Sequence, residues 1–214
     1  MQLGTLARGV VASSDATGAV EGAGWRLSWR LLVGEQWTAP GAGAPLRRSR
    51  PYAAPVDHLA TRIAGGDAIA RAYAVDRPDA VVVEIENDSP AAIGAALLLR
   101  ASGAYALSSR RPPRASETDG AVVFPIAHRT TLRVAVAAGA VDVRALPGVD
   151  AVVRGWDRLL DRGMRVEVPD PLQGDVDRAR ADLLLAPPSA ATFAALEAWG
   201  FDDEAVACWE RLGM

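Results

Sequence analysis

The sequence predicts a mainly β protein with a helical C-terminal segment: an antiparallel β-sandwich, a linker helix, then an αα-hairpin. Three observations carry this. Up to residue 146 the chain alternates short apolar strand patterns with turn chemistry at close, regular spacing, and no helix pattern intervenes. Val152, Val153, Trp156, Leu159 and Leu160 then fall on one face of a helix. Beyond residue 174 every pattern is helical. The chain divides accordingly into a sandwich domain at 1–146, a linker of helix and strand at 147–174, and the start of a helical domain at 175–214.

The first strands are expected at 5–12 and 19–34, with a turn at Asp15–Gly18. Trp25, Leu27, Trp29 and Leu31 alternate with Arg26, Ser28 and Arg30, so one face is apolar and the other wet. Residues 35–55 form the longest irregular segment, rich in Pro, Gly and Ala but carrying Trp37, Tyr52 and three arginines. A loop crossing the sandwich, or projecting toward a partner, fits it. Strands resume at 56–63 and 68–75 around Gly65-Gly66, a hairpin signal. The run 80–86 is strongly β-branched and ends at Asn87-Asp88-Ser89-Pro90, a turn rich in side-chain-to-backbone acceptors. Further strands are expected at 93–99, 121–126 and 131–137, with a polar loop at 109–120.

Pro147-Gly148 opens the linker helix. Asp150 near its start and Arg158 and Arg162 near its end suit the helix dipole, and Gly163 is the expected left-handed stop. A short strand at 164–168 follows. Pro169-Asp170-Pro171 reads as a rigid corner. Val176, Ala179, Leu183 and Leu184 mark a second helix, ended by Pro187-Pro188. Ser189 caps a third, with Phe193, Leu196 and Trp199 inward, and Gly200 stops it. Asp202 caps a fourth, with Val206, Trp209 and Leu212 inward. Phe201 staples the corner between them. The hairpin carries more apolar surface than it can bury on itself. Either it docks on the sandwich, or it expects further helices after Met214 or a separate chain.

All 23 basic residues are arginine, a sign of codon bias, and the net charge of −3 argues against a general nucleic-acid binder. The clusters at Arg47-Arg48-Ser49-Arg50 and Arg110–Arg114 read as solvated loops. One cysteine, Cys208, excludes an internal disulfide and reads as a buried thiol. The N-terminus lacks the pattern of a signal peptide, and the apolar run at 91–99 is far too short to span a bilayer, so a cytoplasmic protein without a membrane partner is expected. His58 and His128 have no ligand partner at metal spacing. No nucleophile elbow, phosphate loop or dinucleotide fingerprint is present, and no cofactor is expected. Trp37 is the tryptophan assigned to a ligand, with Arg48 and Tyr52 in the same segment as further substrate-binding candidates. Trp25, Trp29, Trp156, Trp199 and Trp209 are assigned to the core.

The order of sandwich, linker helix, strand and helical hairpin resembles the six-hairpin glycosidase group, the glucoamylase-like and glycogen-debranching-like proteins. The likeness rests on Trp25 to Trp37, Gly65-Gly66-Asp67, Glu86-Asn87-Asp88-Ser89-Pro90, Gly155-Trp156, Val168-Pro169-Asp170 and the hairpin from Trp199 through Gly200-Phe201-Asp202-Asp203-Glu204 to Ala205. It covers the whole chain in element order, and none of these motifs is catalytic. The resemblance implies a β-sandwich preceding an (α/α)6 barrel, truncated here after its first hairpin, and an α-glucan or related oligosaccharide as substrate. In such proteins the catalytic carboxylates belong to the barrel. No position of this chain matches one, and Glu197, Asp202, Asp203 and Glu204 are explained by helix-cap positions. The chain alone is therefore expected to be inactive. A stand-alone carbohydrate-binding or protein-interaction module is the alternative.

Overall fold

The computed structural model describes residues 1–42, 46–116 and 119–213. The strands are β1 (Gln2–Thr5), β2 (Gly9–Ser14), β3 (Val20–Gly22), β4 (Trp25–Val33), β5 (Gln36–Thr38), β6 (Leu46–Ser49), β7 (Asp57–Ile63), β8 (Gly66–Val75), β9 (Ala80–Asn87), β10 (Ile93–Ala101), β11 (Tyr105–Ser109), β12 (Ala115–Ser116), β13 (Val122–Ile126) and β14 (Thr130–Ala138). The helices are α1 (Val149–Leu160), α2 (Asp170–Leu185), α3 (Ala190–Ala198) and α4 (Asp202–Leu212). Two antiparallel sheets result. Sheet A runs β1-β2-β3-β4-β10-β13-β12, with β5 also paired to β4, and sheet B runs β11-β14-β9-β8-β7-β6.

Alternation builds the inter-sheet core. On β4 the residues Trp25, Leu27, Trp29 and Leu31 are buried, and they meet Val83, Ile85, Leu97, Phe124 and Val134. The run Ala80–Ile85 breaks alternation because β9 is buried on both faces. Val81, Val83 and Ile85 face sheet A. Ala80 and Val82 face the helices, together with Tyr73, Val75, Ala135 and Ala137. Against them pack Trp156, Leu160, Leu184, Leu185, Leu196, Phe201 and Cys208. The molecule therefore has three layers, sheet A, sheet B and helices, and two cores. The α3–α4 hairpin packs on α2 and through it joins the core over sheet B.

The segment at 35–55 crosses from one sheet to the other: β5 lies in sheet A and β6 in sheet B, with residues 43–45 outside the described ones. It is less irregular than expected, because both short strands find an open edge. The turn at Asn87–Pro90 is tied by the buried Asn87 side chain, which donates to the Ala91 carbonyl at 2.7 Å and accepts from Ser89 Oγ at 2.7 Å. The polar loop at 109–120 includes β12, and β11 was not expected at all.

The helical end needs more correction. Residues 164–168 pair with no strand. Instead the Met164 N–H donates to the Trp199 carbonyl at 2.6 Å, which fixes this segment against α3. Gly163 is not a left-handed stop. It is a close-approach glycine, because a Cβ there would lie 2.6 Å from the Phe201 ring. Pro171 sits inside the first turn of α2, where no N–H is needed, so the helix starts at the corner rather than after it. Ser189 does cap α3, accepting from the Thr192 N–H at 3.0 Å, and Gly200 takes the left-handed stop at φ 70°. Phe201, not Asp202, occupies the N-cap position of α4. It seats in the core and sets the helix rotation, so Ala205 and Cys208, four and seven residues on, turn inward with it. Val206 and Trp209 are left 58% and 42% exposed, contrary to the inward face expected.

Candidate functional site

The three residues assigned to a ligand do not converge. Trp37 lies on the outer face of sheet A, opposite Leu32 on β4, and is 37% exposed. The Arg30 guanidinium stands 5.3 Å from its ring centroid, a cation–π contact, and Arg30 Nη2 donates to Asp119 at 3.2 Å. Arg48, on β6 at the edge of sheet B, is used structurally. It ties the sandwich edge by donating to Ser14 Oγ and to the Asp15 carbonyl, and its Nε is 3.0 Å from Asp57, whose carboxylate is wholly buried. Tyr52 packs, half-buried, at the border of the sheet–helix core.

A polar row on sheet B was not anticipated. Ser49, His58, Arg71, Glu84 and Arg133 are successive cross-strand partners over β6, β7, β8, β9 and β14. They mark the line where the helix-covered half of the outer face ends. Tyr73, under the helices, reaches back to this row. Its hydroxyl donates to Glu84 Oε1 at 2.8 Å, lies 3.2 Å from the Pro147 carbonyl and accepts from Arg133 Nη2 at 3.0 Å. Arg133 also donates to the Pro147 carbonyl and stands 3.2 Å from Glu84. Tyr73 on β8 and Arg133 on β14, both tied to Glu84 on β9, thus hold Pro147, two residues ahead of α1. Burial, and then the adjacent Glu84 carboxylate, push the Tyr73 phenol above its ordinary value, so it stays a donor. Burial, and then Arg71, push the His58 imidazole below its ordinary value, so it is neutral at pH 7 beside Ser49.

The carboxylates are committed elsewhere. Glu84 and Glu86 share a face two residues apart, but Glu84 is held by Tyr73 and Arg133, and Glu86 by Arg71 at 2.7 Å. Glu204 is 3.0 Å from Arg162, which also pairs with Asp203. Cys208 is buried, with Sγ 3.9 Å from the Ser189 carbonyl. Among the described residues no group of three His, Cys, Asp or Glu is placed to hold a metal ion, and no helix is long and apolar enough to cross a membrane.

Two clefts flank Leu6 at the tip of the β1–β2 hairpin. One, of about 380 Å³, opens toward α2, α3 and α4, and one of about 270 Å³ opens toward Trp156 on α1. A third depression, of about 300 Å³, lies on sheet A and is lined by Thr17, Ser28, Arg30, Pro40, Leu98 and Asp119, but not by Trp37. Arg30 and Ser28 were legible as wet positions of the β4 alternation. Asp119 and the register of Trp37 on Leu32 were not, because they depend on long-range pairing. No family profile, curated protein or solved structure matches this chain.

Proposed function

We propose that this chain is the non-catalytic N-terminal part of a six-hairpin glycosidase-like protein that acts on α-glucan or a related carbohydrate in the cytoplasm. Its role is to buttress the helical barrel, whose remaining hairpins are its partner. The observation that carries the reading is the seam between sheet B and the helices. Tyr73 and Arg133 donate to the Pro147 carbonyl, Glu84 ties the two together, and Trp156, Leu160 and Phe201 belong to the core between the same sheet and the helices. Such a seam fixes the angle at which a helical array leaves a sandwich. The α3–α4 hairpin is of the kind from which an α/α barrel is built.

The test is an assay of the purified chain on maltodextrins and aryl glycosides, with Glu86→Gln and Glu204→Gln alongside. No turnover is expected. Measurable turnover abolished by one carboxylate substitution would overturn the proposal. The rival reading, a stand-alone carbohydrate-binding or protein-interaction module, is favoured by the exposed Trp37. The DNA downstream of Met214 separates the two: a frame continuing into amphipathic helical pairs supports the buttress, and an immediate stop codon supports the module.

A further inference from the structure

We infer that the outer face of α4 is a docking site for a basic amphipathic helix of a partner protein, with Val206 and Trp209 as its apolar seat and Asp202, Glu210 and Glu197 as its acidic rim.

The face is a helical stripe in its own right. Asp202, Val206, Trp209 and Glu210 fall at i, i+4, i+7 and i+8, on the side of α4 away from Ala205 and Cys208, which turn into the core. All four are exposed, Val206 at 58% and Trp209 at 42%. A lone exposed apolar residue is ordinary on a protein surface. Here two adjoin, and a third side chain backs them. The Phe193 ring on α3 lies 5.1 Å from the Trp209 ring, centroid to centroid, at an interplanar angle of 52°. That contact holds the indole before anything binds, so little rotamer entropy is lost when a partner covers it. Glu197 shares a face of α3 with Phe193, one turn on, and is exposed as well. The apolar centre thus has a carboxylate toward each end of the α4 stripe and another on α3.

Charge complementarity selects the occupant. From Pro187 to Gly213 five acidic residues stand against one base, Arg211, while the whole chain is at −3, so the rest of the molecule is slightly basic. Among the described residues Asp203 and Glu204 pair with Arg162, whereas Glu197, Asp202 and Glu210 make no ion pair. A second copy of the chain is disfavoured. An antiparallel α4 centred on Val206 would set Asp202 of one copy against Glu210 of the other, and a parallel one would set Asp202 against itself. Nucleic acid and anionic lipid are repelled by the same carboxylates. A helix with arginine or lysine on either side of an apolar pair satisfies both parts of the surface. Asp202 and Glu210 are eight positions apart on α4, roughly 12 Å along its axis. The matching cations therefore lie about two turns apart on the partner, with its apolar anchors between them.

Val206 and Trp209 lie outside the core shared with sheet B, so this site and the buttress role can fail separately. Isothermal titration of the full chain with an amphipathic leucine–arginine helical peptide, and with its leucine–glutamate counterpart, is the test, with Trp209→Ala, Glu210→Arg and Trp37→Ala as variants. Trp37 is the control, an indole of similar exposure, at 37%, on sheet A with the Arg30 guanidinium over its ring. Saturable binding of the arginine peptide alone is expected. It should weaken about tenfold in Trp209→Ala, several-fold in Glu210→Arg and on addition of salt, and stay unchanged in Trp37→Ala. Glu210 is exposed near the C-terminal end of α4, where a cation suits the helix dipole, so its variant keeps the test alive if Trp209→Ala does not fold. Absence of saturable binding, equal binding of the glutamate peptide, binding untouched by the Trp209 and Glu210 variants, or equal loss in Trp37→Ala would each overturn the inference. So would a dimer of the free chain, seen in sedimentation velocity and abolished by Trp209→Ala, because the face would then belong to a second copy.

Discussion

Tyr73 is fully buried, and its single hydroxyl proton serves two acceptors. Glu84 at 2.8 Å takes the larger share and the Pro147 carbonyl at 3.2 Å the smaller, while Arg133 donates back to the same oxygen. Tyr73→Phe keeps the ring and removes this hub. The loss is expected at about 1–3 kcal/mol, the cost of leaving buried polar partners short of a hydrogen bond, read as a lower urea midpoint at unchanged slope. A change below about 0.5 kcal/mol would show that Arg133 alone holds Pro147. The tyrosine was legible only as part of a strand. Of its hydroxyl's partners, Arg133 lies 60 residues on and Pro147 lies 74, a juxtaposition that no local pattern encodes. The same holds for Arg48. Its place with Trp37 in the segment at 35–55 made it a ligand candidate, whereas its buried partner Asp57 makes it a strut.

At the scale of elements, the strands of the sandwich could be read because period-two alternation is local and strong, as in β4. The helical end was readable in existence and order but not in rotation. For α4 the rotation is decided by where Phe201 seats, and two equally apolar stripes compete for the inside. The stripe of small residues wins, since Ala205 and Cys208 let the helix approach closely, while the bulkier Val206 and Trp209 stay out. Gly163 belongs to the same joint. It lets the chain after α1 run against the Phe201 ring and the Trp199 carbonyl, and a methyl there would lie 2.6 Å from the ring and 2.9 Å from that oxygen. Gly163→Ala is therefore expected to lower stability by about 1–3 kcal/mol through overpacking. Gly155→Ala, on the open side of α1 where an added Cβ meets nothing within 4 Å, is expected to stabilise by about 0.5–1 kcal/mol. Thermal melts of the two variants should move in opposite directions. Movement in the same direction would mean that the joint relaxes around the added methyl.

Across the whole molecule, sheet B is the shared wall of two cores, and this decides how the layers fail. Val82 and Val83 are neighbours on β9, yet one faces the helices and the other faces sheet A. Loosening the helix layer strips one side of a strand whose other side holds the sandwich together, so the two cores should lose structure together. Trp156 is the test of this coupling, because it is 7% exposed and sits midway along α1 against sheet B. Trp156→Ala is expected to cost about 3–5 kcal/mol. Hydrogen exchange follows where that loss appears, in the amides of β4, which carries the inter-sheet Trp25 and Trp29, and in those of α2 and α3. Coupled cores require both signals to shift to the same lower denaturant midpoint. If exchange in the helices became fast while that in β4 kept its original midpoint, the sandwich would stand alone, and the helix layer would be a separately folding unit that merely leans on it.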